Sequence, residues 1–130
     1  MKMQSPLLEF ESTDFAVTDG EEDETNPGIY GRALAGWVAA QLKVPEDDII
    51  PEDFGWCVPA KSSPYRLYVA CSSEDDRKDK WQVFVFAEGG LMSRLLGRDS
   101  RAEGIESLFS KIKSALTTHP GVRGMTEVQT

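Results

Sequence analysis

The sequence predicts an α+β fold, a two-layer sandwich in which two helices lie on a mainly antiparallel sheet of about four strands, ordered β-α-β-β-β-α. Three observations carry this. Two segments repeat apolar residues at helical spacing, and four alternate apolar and polar residues at the period of a strand. The last three strand-like segments follow one another through short links, which favours an antiparallel meander. Each helical segment has a single apolar stripe, which needs a sheet to bury it. The 130 residues are expected to form a single domain, 1–130, long enough to bury a core without staples.

The first strand is Leu7 to Glu11, with Leu8 and Phe10 alternating against Glu9 and Glu11. Phe15 and Val17 resume the alternation; they either extend that strand past a bulge or form the second arm of a hairpin. Residues 19–25 read as a solvated acidic loop carrying Glu21, Glu22, Asp23 and Glu24. A calcium loop needs ligands at alternate positions around a central glycine, and here the acids are consecutive. Asn26-Pro27 then reads as a helix start, Asn as N-cap and Pro at the first helical position. The helix is expected from about Gly28 to Leu42, with Tyr30, Leu34, Trp37, Val38 and Leu42 on its buried face, and Pro45 ends it.

The stretch Pro51 to Val58 joins the two halves of the fold. Phe54, Trp56 and Val58 alternate with Gly55 and Cys57, the pattern of a strand with one large buried face. Tyr65 to Cys71 and Trp81 to Glu88 are the next strands. Both are apolar on both faces: Tyr68, Phe84 and Phe86 share the parity opposite Leu67, Val69, Val83 and Val85. Such strands lie centrally or have a covered second face. Leu91 to Leu96 reads as a short helical turn. Ser100 and Glu103 form a capping-box pattern ahead of the second helix, whose stripe is Ile105, Leu108, Phe109, Ile112, Ala115 and Leu116. His119-Pro120-Gly121 stops it, and 122–130 reads as a loosely attached tail. Trp37, Trp56 and Trp81 each fall on an apolar face and are expected to be largely buried.

The net charge of −8 is uneven. Residues 1–60 hold 13 acidic and three basic side chains, and residues 61–130 hold nine acidic and 11 basic. An acidic half disfavours phosphate backbones, which are gripped by Lys and Arg, so direct nucleic-acid binding is not expected. It favours encounter with a basic protein partner, and it also serves plain solubility. The N-terminus interrupts its apolar residues with charge, unlike a signal peptide. No run approaches the about 18 apolar residues of a membrane span. A cytoplasmic location follows by default, and two cysteines suit its reducing conditions.

Two motifs carry a resemblance. Asn26-Pro27-Gly28-Ile29-Tyr30-Gly31-Arg32-Ala33-Leu34 with Trp37, and Pro51-Glu52-Asp53-Phe54-Gly55-Trp56, resemble small uncharacterised bacterial proteins with an NPG-x-YG-x-AL helix start and a PED-[WF]-GW strand. The resemblance covers residues 26–58 well and the Trp81 strand loosely. It implies a bacterial cytosolic protein and carries over no catalytic or binding residues.

No catalytic set stands out, and no cofactor or metal is expected. His119, the single histidine, sits at a helix end where it complements the dipole. Cys57 and Cys71 lie out of register for a disulfide and read as buried thiols, too few with one histidine for zinc. Glu52 and Asp53 could pair as acid and base, but adjacent residues of an extended segment point apart. Gly89-Gly90 with Arg94 and Arg98 matches no phosphate-loop fingerprint. The sequence therefore reads as a non-enzymatic binding protein, immunity- or inhibitor-like, whose acidic surface engages a basic protein. The candidate binding residues are Glu21, Glu22, Asp23, Glu24, Glu52, Asp53, Phe84 and Phe86. The second face of the sheet is expected to be covered by a copy of the same chain or by the partner; the competing arrangement has the two helices on opposite faces, which leaves a monomer with no patch. The alternative is a small enzyme or ligand-binding domain with a pocket near Trp56, served by Glu52, Asp53 or Arg66.

Overall fold

The computed structural model describes residues 3–89 and 100–129. Among these, strands β1 (Leu7–Glu11), β2 (Ile50–Glu52), β3 (Gly55–Lys61), β4 (Arg66–Ser73), β5 (Lys80–Glu88) and β6 (Arg123–Val128) form one antiparallel sheet. Its order is β2-β3-β4-β5-β1-β6. Helices α1 (Arg32–Leu42) and α2 (Arg101–Thr118) pack on it. The α+β class is as expected, with six strands in place of about four. Both added strands sit at edges. β2 is a three-residue arm too short to show alternation, and β6 is exposed along nearly its whole length. Neither has an apolar face to read. The tail is thus not loose, because its backbone pairs with β1. The expected turn at 91–96, and Gly90, Arg94 and Arg98, lie outside the described residues.

Residues 12–18 form neither a strand extension nor a hairpin arm. Phe15 is nevertheless buried, edge-on to Phe10, Trp37 and Trp81. The indole N–H of Trp81 donates to the Ser12 carbonyl at 3.0 Å, which satisfies a buried donor and pins the loop.

α1 starts four residues later than the Asn-Pro signal predicts. Gly28 takes φ +82° in a turn and Gly31 takes φ +145°, so the helix cannot propagate from Asn26. The Asn26 side chain instead donates to the Asp53 carbonyl at 3.0 Å, tying this turn to the β2–β3 hairpin. The helix start is capped from a distance. Glu21 is 3% exposed, and its Oε2 accepts the backbone N–H of Gly31 and of Arg32, each at 3.0 Å. Its Oε1 accepts the Thr18 N–H at 2.7 Å. The acidic segment is therefore a 3-10 turn over Glu21–Asp23 built around a buried carboxylate. A negative charge at a helix N-terminus is also favoured by the dipole.

Both helices cover the same face of the sheet. Leu8, Val58, Val69, Cys71, Val83 and Val85 are fully buried in one cluster with Leu34 and Val38 of α1 and with Ile112 and Leu116 of α2. Gly31 lets the helix start approach β4: a Cβ there would stand 2.8 Å from the Cys71 carbonyl oxygen. Trp56 and Trp81 are buried as expected, but Trp37 is only half-buried, at the layer's edge against His119. α2 begins after Ser100, although no capping-box hydrogen bond forms.

Glu21→Ala is expected to cost about 2–4 kcal/mol, since it strips an acceptor from buried N–H groups. Glu21→Gln, which keeps one oxygen, should cost about half as much. Urea denaturation measures both. An Ala variant within about 0.5 kcal/mol of the parent would show that the helix start is held by other contacts.

Candidate functional site

Four aromatic residues collect on the face that the helices leave open: Phe54, Tyr68, Phe84 and Phe86. On β5, Phe84 and Phe86 alternate with the buried Val83 and Val85. Tyr68 stands opposite Phe86 in the β4–β5 register, and the two rings stack 5.1 Å apart at 23°. The small Ala70 stands opposite Phe84 and is itself buried. Phe54, expected in the core beside Trp56 and Val58, lies here instead. It belongs to the two-residue turn between β2 and β3, and Gly55 after it takes φ +150°, so strand parity does not carry across. Phe54 is 45% exposed and leans to within 6.3 Å of the Phe84 ring centroid and 6.1 Å of that of Phe86.

Acidic side chains edge this patch. A cavity of about 150 Å³ at the β2–β3 end is lined by Ile50, Glu52, Phe54, Cys57, Tyr68, Phe86 and Glu88. Burial pushes the Cys57 thiol up to about 12, and the Glu52 and Glu88 charges add to the effect. It stays protonated at neutral pH and offers no nucleophile. Trp56 faces Cys71 in the β3–β4 register, so the two cysteines stand on opposite faces of the sheet and both are free thiols. Among the described residues no group of His, Cys, Asp and Glu is placed to hold a metal ion.

The other expected site residues divide. Glu52, Phe84 and Phe86 come together on the open face. Glu21 is buried and committed to the helix start. Glu22 accepts the Gly28 N–H at 3.2 Å, and a hydrogen bond from the Tyr30 hydroxyl holds its carboxyl below the usual range. Asp23 and Glu24 are exposed on the acidic turn. Asp53 sits at the hairpin tip, exposed, its carbonyl taken by Asn26. Ile50, Phe54, Cys57 and Glu88 were not among the expected residues. Glu88 was legible, because it shares parity with Phe84 and Phe86; the other three depend on the hairpin.

A second pocket, about 230 Å³, lies on the Trp56 side and is lined by Glu24, Arg32, Glu46, Asp47 and Trp56 among others. The Arg32 guanidinium stands 5.6 Å from the Trp56 ring centroid, and the buried indole N–H of Trp56 has no hydrogen-bond partner among the described residues. The polar groups expected for a Trp56 pocket do not line it: Glu52 lines the cavity on the open face, and Arg66 stands opposite Glu88 on β5. His119 packs on Phe15 and Trp37, and its Nδ1 accepts the Gly121 N–H at 2.9 Å. Its role there is structural.

No described helix is long and apolar enough to cross a membrane. No family model, no curated protein and no solved structure matches this chain.

Farther along the open face, Glu74 is a side chain only 14% exposed, with Lys80 Nζ at 3.6 Å. Burial first, and then the hydrogen bond and charge of Glu9, push its carboxyl up to about 7. The folded chain therefore holds a proton here that the unfolded chain releases near the ordinary value of 4.5. Between these two values stability falls as pH rises. Glu74→Gln is expected to remove this fall. Urea midpoints at about pH 5 and about pH 8 check it: the parent should lose more than the variant between them, and parallel losses would show that Glu74 titrates normally.

Proposed function

We propose that this chain is a non-enzymatic binding protein whose open sheet face docks a basic protein partner. The observation that carries the reading is the placement of both helices on one face. It leaves Phe54, Tyr68, Phe84 and Phe86 together on the other, an aromatic patch of a kind that marks interaction sites on soluble domains. Charge complementarity selects the occupant. Glu52 and Glu88 line the cavity beside the patch, and the chain carries −8 overall. A second copy would set like-charged edges against each other, whereas a basic surface would be drawn in faster and held in register. Where the covered surface is the partner's active site, docking inhibits it, as in immunity-like proteins. A cytoplasmic location fits, since both thiols are free.

A second reading attaches to the Trp56 pocket. There the unpartnered indole N–H and Arg32 offer donors to a small polar ligand. Glu24, Glu46 and Asp47 around them oppose an anion.

Phe84→Ser is expected to weaken partner binding about tenfold or more, as loss of a central aromatic anchor does, while leaving the helix-facing core intact. Capture from native lysate at low and at moderate salt, with parent and variant as bait, makes the comparison. A basic protein held by the parent, and lost with the variant and with salt, is the expected result. Captured proteins indifferent to Phe84→Ser would remove the open face from the account. A parent that sediments as a dimer dissociated by Phe84→Ser would replace the basic partner by a second copy.

A further inference from the structure

We propose that the cavity at the β2–β3 end of the open face is a cage for a lysine side chain of the docked partner. This rests on the reading of that face as a docking surface for a basic protein, and it names the group the surface recognises.

The walls are aromatic and meet at a corner. Phe86 is stacked with Tyr68 at 23°, whereas Phe54 stands at 74° to Phe86 with centroids 6.1 Å apart. All three line the cavity. A cation within about 6 Å of a ring face is attracted by its quadrupole, and rings set at a steep angle give the cavity differently inclined aromatic walls. The size fits the occupant: about 150 Å³ is the volume of an apolar cavity that takes up benzene, a ligand of about as many heavy atoms as the lysine side chain.

Two further features select a cation over an apolar side chain. Glu52 and Glu88 line the same cavity, from β2 and from β5. A neutral occupant would desolvate two carboxylates with nothing in return. The register sets Arg66 opposite Glu88, but Glu52 stands opposite Gly55, with no cross-strand cation. The buried Cys57 thiol is also part of the lining. It stays neutral, and the fields of both glutamates reach it, which places their charge over the cavity. The corner shape selects lysine over arginine. A planar guanidinium is best served by a flat slot and a bidentate carboxylate, whereas a compact ammonium on an alkyl stem fills a corner.

The test is an NMR titration of the full chain with four soluble probes. These are n-butylammonium, choline, the neutral carbon isostere of choline 3,3-dimethyl-1-butanol, and n-propylguanidinium. Butylammonium and choline are expected to give saturable shifts at Cys57, Tyr68 and Phe86, with the neutral alcohol about tenfold weaker or more. Glu52→Gln combined with Glu88→Gln should weaken both ammonium probes about tenfold and leave the alcohol unchanged. Both glutamates are exposed, so the double variant keeps its fold, which its thermal midpoint verifies. Four results would overturn the cage: an alcohol that binds as well as choline, ammonium binding indifferent to the double variant, propylguanidinium tighter than butylammonium, or no saturation up to about 100 mM. The docking reading fails separately, because Phe84 does not line the cavity. Ammonium selectivity beside partner capture indifferent to Phe84→Ser supports the ammonium site and overturns docking alone. Capture that depends on Phe84 without ammonium selectivity overturns the cage alone.

Discussion

The end of β4 is where the two halves of the chain are locked together. Ser73 N–H donates to the Tyr30 carbonyl at 2.9 Å, the Tyr30 N–H donates to Ser73 Oγ at 3.0 Å, and Ser73 Oγ donates to the Gly28 carbonyl at 2.9 Å. Gly31 and Gly55 both come against the Cys71 backbone where a side chain would not fit. With Glu21 holding the helix start, these contacts fix both where α1 begins and how closely it lies on the sheet. A side chain at Gly31 would lift the start of α1 from β4, and one at Gly55 would force the start of β3 away from β4.

That placement has a consequence on the far side of the sheet. α1 covers β3 and β4, α2 covers β5, and neither reaches around the edge. The alternate residues of the same strands then have no helix over them: Tyr68 of β4 and Phe84 and Phe86 of β5 are half-buried there, beside the buried Ala70 and Ser72. Phe54 extends the patch from the β2–β3 turn. The sheet is thus two-sided in composition and one-sided in helix cover, and this mismatch is what the proposed docking surface rests on.

The acidic side chains fall into two kinds of work. Glu21 and Glu22 are spent inside the molecule, accepting backbone N–H groups around the start of α1. Glu52 and Glu88 are exposed and line the cavity at the β2–β3 end of the open face, with Arg66 opposite Glu88 in the register. Glu74 stands between these roles, its charge opposed by burial and by Glu9. The bulk charge of the chain therefore does not measure the acidity at the open face, where Glu52 and Glu88 are the acids that line the cavity beside the rings.

The sequence by itself determined the class, the two helix stripes, the face assignment of β1, β4 and β5, and the shared parity of Tyr68, Phe84, Phe86 and Glu88. Period and parity are local properties, set by backbone geometry and written in consecutive residues. Tertiary structure decided the rest. Glu21 looked like one of four surface acids because a cap ten residues upstream leaves no local signal, and the Asn-Pro start lost to the positive φ of Gly28 and Gly31. β2 and β6 were invisible because edge strands need only backbone pairing, without an apolar face. Phe54 changed sides because a two-residue turn resets the alternation on which its placement rested. Whether two apolar stripes share one face of a sheet or take opposite faces is settled by how the connections pass around its edges, which no periodicity records.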